Sequence, residues 1–130
     1  FGQLDINIFM LGIVYQGVAF PLLFTMLPKK GNSNSQERID LIDRFIRLFG
    51  KKCIESLVAD REFVGKKWIE YLNFNSIRYH IRIRNNFKVY LPGKQKEVKA
   101  SWLFNNLKVG EYKYYEKIVN QRTMLLHLRV

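Results

Sequence analysis

Asp60 and Glu62 stand where an apolar run, Leu57-Val58-Ala59, stops abruptly in "VADREFVGKKW". A carboxylate at the carboxyl end of a sheet strand occupies the place where open α/β sheets bind ligands. It can hold a hard cation such as Mg²⁺, which prefers oxygen donors. Two such cations can activate a water and stabilise the leaving oxygen in phosphodiester cleavage. One Asp cannot build that centre, so neighbouring strands would have to supply one or two more acids. The same Asp60 can instead cap the helix that follows it. Glu62 can be a second ligand or a solvated, salt-bridged residue.

A second pattern lies downstream. In "IRYHIRIRNN", residues 77–86, Ile77, Tyr79, Ile81 and Ile83 alternate with Arg78, His80, Arg82 and Arg84. A strand with one cationic face presents a charge at a repeat of about 7 Å, close to the phosphate spacing of a nucleic-acid strand. Arg78, Arg82 and Arg84 are therefore the candidate DNA contacts. A solvated polar face is the alternative, although such faces usually mix residue types. Lys94, Lys96, Lys99, Lys108 and Lys113 add a diffuse basic surface. The whole chain carries 22 Lys and Arg against 11 Asp and Glu, net +11, which favours polyanionic partners.

Other reactive residues fall into no recognisable arrangement. Cys53 reads as a small buried cysteine at the start of a strand, and a single cysteine allows no disulfide within the chain. His80 and His127 are too far apart in sequence to suggest a metal pattern. Trp68 and Trp102 read as core or half-core aromatics, with stacking on a displaced base as the alternative.

The elements that must position these residues are readable from periodicity and punctuation. At 130 residues, 48% hydrophobic, the chain suits one domain with a core. Residues 6–27 carry no charge. Their β-branched and aromatic types, with Gln16-Gly17 near the middle, predict a hairpin of two buried strands. A polar loop follows. Ser33 with Gln36, or Asn34 with Glu37, can form a capping box. Ile39, Ile42, Phe45, Ile46 and Phe49 then recur at helical spacing up to Gly50, a C-cap residue. A strand is expected from about Cys53 to Ala59. A second helix follows Asp60, with Val64, Trp68, Tyr71 and Leu72 on one face. Residues 77–86 form the basic strand. Beyond Leu91-Pro92-Gly93, short strand-like pieces include Trp102, Leu103, Val109 and residues 112–115.

Strand, strand, helix, strand, helix, strand predicts an α/β fold with a mixed central sheet flanked by helices. An antiparallel hairpin ahead of such a run is the arrangement of RNase H-like domains without their first strand.

"SLVADREFVGKKWIEYL", preceded by "FPLLFTMLPKKGNSN" and followed by "IRYHIRIRNNF", resembles the catalytic domain of DDE-type transposases of bacterial insertion sequences. The nearest group is the insertion-sequence-four family with its YREK signature. The resemblance runs through most of residues 1 to about 118, and the "ADREF" strand end with its downstream Trp is its most specific part. It implies an RNase H-like core in which two Asp and one Glu bind two Mg²⁺ (or Mn²⁺) ions, cleave DNA at transposon ends and join the 3′ hydroxyl to target DNA. Asp60 matches the second acid, both catalytic residue and metal ligand.

The resemblance also implies what is not matched. The family's first Asp lies before the hairpin in a "DRTxW"-like segment, and Asp5 is too close to the hairpin for that role. The third acid, a Glu, lies on a later helix beside the Tyr-Arg-Glu-Lys signature; "EYKYYEK" at 111–117 lacks the Arg. The expectation is an incomplete RNase H-like core in residues 1–91, lacking first strand and last helix. Residues 92–130 would begin a β-rich insertion and be truncated or frameshifted. Such a chain would not hold the cations stably and would be catalytically inactive. The intact enzyme would work on DNA as a homodimer in the bacterial cytoplasm, with no membrane and no small-molecule substrate.

Two alternatives come from other classes: a non-catalytic basic nucleic-acid-binding domain, and a small membrane-anchored protein using residues 6–27 as its span. Pro21 and Asn7 count against a lipid-facing helix. No basic segment precedes the apolar run, so a signal peptide is not expected.

Overall fold

The computed structural model describes residues 3–91, 96–120 and 124–129, with only the backbone described from 114 onward. Pro92-Gly93 and Lys94 lie outside the described residues, as does part of the C-terminal tail. Among the described residues the fold is mixed α/β, with two α-helices and three small sheets. The chain divides into two compact units, residues 1–58 with 71–80, and residues 59–70 with 81–130.

The first unit begins with the expected hairpin. β1 (Asn7–Tyr15) pairs antiparallel with β2 (Val18–Leu27) around Gln16-Gly17. Both turn residues have positive φ, 48° and 78°, the requirement of a two-residue turn that follows strand twist. The register slips between Leu11 and Gly12: Leu11 faces Leu23 but Gly12 faces Pro21, so Leu22 is the extra residue of a bulge. Pro21 is tolerated there because a bulge does not need its missing N–H. A Cβ on Gly12 would meet the Phe20 carbonyl oxygen at 3.0 Å, so glycine permits this close approach.

The strands are not buried as expected. Apart from Leu27, every residue of the hairpin is half-buried or exposed. Apolar composition predicts strand formation, but burial requires elements on both faces. The residues 6–27 do not form a membrane-spanning helix, and among the described residues no helix is long and apolar enough to cross a membrane.

α1 (Ser35–Phe49) starts at Asn34, whose side chain accepts from Glu37 N–H at 2.9 Å while Glu37 accepts from Asn34 N–H at 2.7 Å. The capping box is therefore the Asn34–Glu37 alternative. Ser33 is buried instead against Arg38, whose Nε donates to its Oγ at 3.0 Å. Gly50, φ 86°, donates to Ile46 O and ends the helix. Ile39, Leu41 and Ile42 are buried, whereas Phe45 and Ile46 are half-buried and Phe49 is exposed. The Tyr71 hydroxyl donates to Asp43 of α1.

The strand expected from Cys53 is shorter. Residues Lys51–Cys53 form a 3₁₀ turn, and β3 is only Leu57–Ala59. Cys53 is exposed rather than buried, its Sγ 3.0 Å from Phe49 O. A 3₁₀ turn, Arg61–Phe63, precedes α2 (Lys66–Phe74), so the second helix begins beyond Val64. Trp68, Ile69 and Leu72 of α2 are almost fully buried.

β4 covers only Tyr79–Ile81 of the alternating segment. Leu57 N–H donates to Arg78 O at 2.8 Å, and Arg82 N–H donates to Ala59 O at 3.3 Å. Both strands advance in the same sense between these bonds, so β3 and β4 run parallel with α2 as their connection. This two-stranded sheet and the hairpin are separate sheets, rather than the one central mixed sheet the element order predicts.

The second unit contains a four-stranded sheet in the order β6-β5-β7-β8, from Glu97–Lys99, Lys88–Tyr90, Tyr114–Asn120 and Met124–Arg129. Its neighbours are antiparallel. Trp102 and Leu103, expected in a strand-like piece, lie in a 3₁₀ helix, Ala100–Phe104. Val89, Ala100 and Leu103 are buried here.

Candidate functional site

β3 delivers Asp60 at its carboxyl end. The Asp60 carboxylate Oδ1 accepts from Arg61 N–H at 2.8 Å, and its carbonyl accepts from Phe63 N–H at 2.9 Å. Asp60 thus closes the 3₁₀ turn that leads towards α2, so the capping role and the strand-end position coexist in one residue. Its side chain is 60% exposed.

Two arginines of the alternating segment meet the acids. Arg82 Nη1 lies 4.0 Å from Asp60 Oδ1, and Arg84 Nη2 lies 2.9 Å from Glu62 Oε1. Arg61 Nε adds a third cation 3.7 Å from the same Glu62 oxygen. The cause is geometric. The Arg82–Ala59 backbone bond fixes the register, and both acids and both arginines are spaced i, i+2. Each acid therefore finds its arginine 22 residues on. Glu62 is the salt-bridged residue of the two sequence alternatives.

These pairs are exposed and individually weak, about 0–1 kcal/mol each. Their local effect is to neutralise: two carboxylates and three guanidinium groups share one strip of surface. Arg82 keeps 79% of its side chain exposed and Arg84 60%. Arg78 and His80 are exposed as well, while Ile77, Tyr79, Ile81 and Ile83 are buried or half-buried. The alternation of faces thus extends over residues 77–84, although the ladder covers three residues.

The described residues do not fit a two-metal centre. Among them no group of three His, Cys, Asp or Glu side chains comes together. Asp60 Oδ1 also faces the Arg82 guanidinium.

Sequence reasoning missed the acid–arginine pairing, although equal i, i+2 spacings in two strands were its available signal. It also missed the Tyr71–Asp43 bond. Burial, then that bond, push the Tyr71 hydroxyl well above its ordinary pKa. Trp68 is a core residue, 2% exposed, whereas Trp102 is half-exposed. Trp102, Asn105, Asn106 and Lys113 contribute to the wall of a cavity of about 410 Å³ in the second unit. His127 lies in β8, where only backbone is described.

No protein-family model, no curated protein and no solved structure matches the chain.

Proposed function

We propose that the chain is an internal portion of the catalytic domain of a DDE-type DNA transposase, an RNase H-like unit in which Asp60 holds the place of the second acid. The observation that carries this reading is the carboxylate at the carboxyl end of β3 within a parallel β–α–β unit, the position from which such folds present metal ligands. The "ADREF" motif at that spot supports it. The intact enzyme would act on transposon-end and target DNA as a cytoplasmic homodimer with Mg²⁺ or Mn²⁺. This chain supplies one acid, the exposed arginines and a positively charged surface. It should bind DNA without cutting it.

The test restores what the reading says is absent. A chain extended on both sides by its flanking coding sequence should nick supercoiled plasmid in Mg²⁺, and Asp60→Ala should abolish that activity. Cleavage indifferent to Asp60→Ala would refute the assignment, as would an extended chain that binds DNA and never cleaves it.

The second reading, a non-catalytic nucleic-acid-binding domain, is favoured by the pairing of Asp60 and Glu62 with arginines and by the net charge of +11. It predicts the same DNA affinity without any gain of cleavage on extension.

A further inference from the structure

The cavity of about 410 Å³ in the second unit is lined by Trp102, Leu103, Asn105, Asn106, Leu107 and Lys113. Two successive turns build its wall. Ala100 N–H donates to Phe87 O at 2.7 Å and anchors the 3₁₀ helix Ala100–Phe104, in which Ala100 and Leu103 are buried. Leu107 N–H donates to Phe104 O at 3.1 Å and folds Asn105 and Asn106 into a tight turn. Glu111 N–H then donates to Lys108 O at 3.0 Å, and Lys108 N–H donates to the Glu111 carboxylate at 2.9 Å. Gly110 takes φ 89° there, a conformation that favours glycine. This second turn reverses the chain and returns Lys113 to the cavity. Backbone bonds thus set the wall, while Asn105, Asn106 and Lys113 stay exposed on it.

We propose that this cavity binds an unpaired nucleotide, its base stacked on the Trp102 indole and its phosphate drawn to Lys113. Each part of the wall selects one part of that ligand. Trp102 is 54% exposed although its neighbour Leu103 is only 5% exposed. An indole presented to solvent from an anchored backbone is a platform for a flat ring, and such stacking tolerates any base. Leu103 and Leu107 add apolar contact. Asn105 and Asn106 each carry donors and an acceptor, the complement of the mixed groups on a base edge. Lys113 is the one charged residue among those that line the cavity, and no acid accompanies it. An anionic ligand is therefore favoured over a neutral sugar. The volume lies within the range of small-ligand pockets, about 300–1,000 Å³.

A base inside a duplex has both faces covered by its neighbours, so the nucleotide must be free or part of a single strand. The inference does not rest on the transposase reading. Neither Asp60 nor a cation takes part, and Arg82 and Arg84 do not line the cavity. Failure of those arginines to bind duplex leaves it standing.

Titration of the full chain with thymidine 5′-monophosphate and with single-stranded oligothymidylate, followed by tryptophan emission, tests the proposal. Trp68 is 2% exposed and out of reach of a stacking base, so saturable quenching reports Trp102. Equal saturation by both probes assigns the site to a free nucleotide, and much tighter saturation by the oligonucleotide assigns it to a strand. In anisotropy titrations of labelled oligothymidylate, Trp102→Ala should weaken binding about fivefold or more, and Trp102→Phe should restore part of the loss. Lys113→Ala should reduce the salt slope by about 0.7. Duplex affinity should not move with Trp102→Ala, and circular dichroism checks that each variant is folded. Absence of saturable quenching by either probe would overturn the proposal. So would a single-strand affinity indifferent to Trp102→Ala, or an equal loss of duplex binding, which would make Trp102 a residue of the fold alone.

Discussion

The Arg84 guanidinium stands 2.9 Å from the Glu62 carboxylate, 22 residues away in sequence. Arg82 faces Asp60 at the same sequence separation. The parallel register of β3 and β4 imposes both meetings. The basic strip and the candidate metal ligand are therefore one charged surface. A change on either side of it alters the other.

DNA affinity should accordingly rise when an acid is removed. Glu62→Gln frees Arg84 for phosphate contact, and we expect affinity for a short duplex to increase by about twofold to fivefold at low salt. Arg82→Ala with Arg84→Ala should lower affinity and reduce the slope of log K against log salt by about 2. Fluorescence anisotropy titrations at several salt concentrations read both. A salt slope unchanged by the double substitution would remove these arginines from the interface.

Stability should respond very differently to the same residues. Glu62→Gln is expected to cost less than about 1 kcal/mol, since the pair is exposed. Leu72→Ala, at a side chain with no exposed surface, should cost about 2–5 kcal/mol. Urea unfolding followed by circular dichroism distinguishes the two.

Acid should loosen the start of α1. Glu37 accepts from Lys29, from which it is 2.9 Å away, and from Asn34 N–H. The Lys29 bond first, then the Asn34 bond, hold its carboxyl below the ordinary value of 4.5. A folded pKa below the unfolded one stabilises the fold above the unfolded value, and that contribution is lost as pH falls through the folded value. Glu37→Gln should flatten the stability–pH curve below about 4.5. Asn34→Ala should cost about 1 kcal/mol at neutral pH. Thermal melts from pH 2 to 7 give both results.

At the alkaline end the sign reverses. Tyr71 keeps its proton in the folded state because burial and Asp43 disfavour the phenolate, so its pKa stands above the ordinary 10.0. Its contribution is complete below the unfolded pKa and is lost as pH rises towards the folded one. Tyr71→Phe should therefore show a shallower decline in melting temperature above pH 10 than the parent chain. An unchanged decline would mean that the hydroxyl titrates alike in the folded and unfolded chains, against the raised pKa.

Local signals were legible in the sequence, and non-local ones were not. Asn34, Glu37 and Gly50 define α1 because capping uses residues three or four positions apart. Gln16-Gly17 defines the hairpin because a tight turn is set by two residues. The burial of that hairpin was misread, because an apolar strand does not state what covers it. β3 and β4 are shorter than the strands expected from about Cys53 to Ala59 and over residues 77–86, since a two-stranded sheet ends where its one partner ends. For the site, Asp60 could be placed at a strand end from "LVAD" alone. Its arginine could not, because the Arg82–Asp60 contact depends on the pairing of strands separated by a helix. Cys53 illustrates the same limit: its place at the head of the segment leading to Leu57-Val58-Ala59 suggests a strand, and a 3₁₀ turn exposes it instead.

We propose that Asp60 is one acid of a transposase centre whose other acids lie in the flanking coding sequence. Sequencing the DNA on both sides of the reading frame, translated in all three frames, tests it most directly. We expect an Asp-bearing strand upstream of the hairpin and a Tyr-Arg-Glu-Lys helix downstream. Flanks that encode neither would contradict the account and leave Asp60 as the residue that closes a 3₁₀ turn.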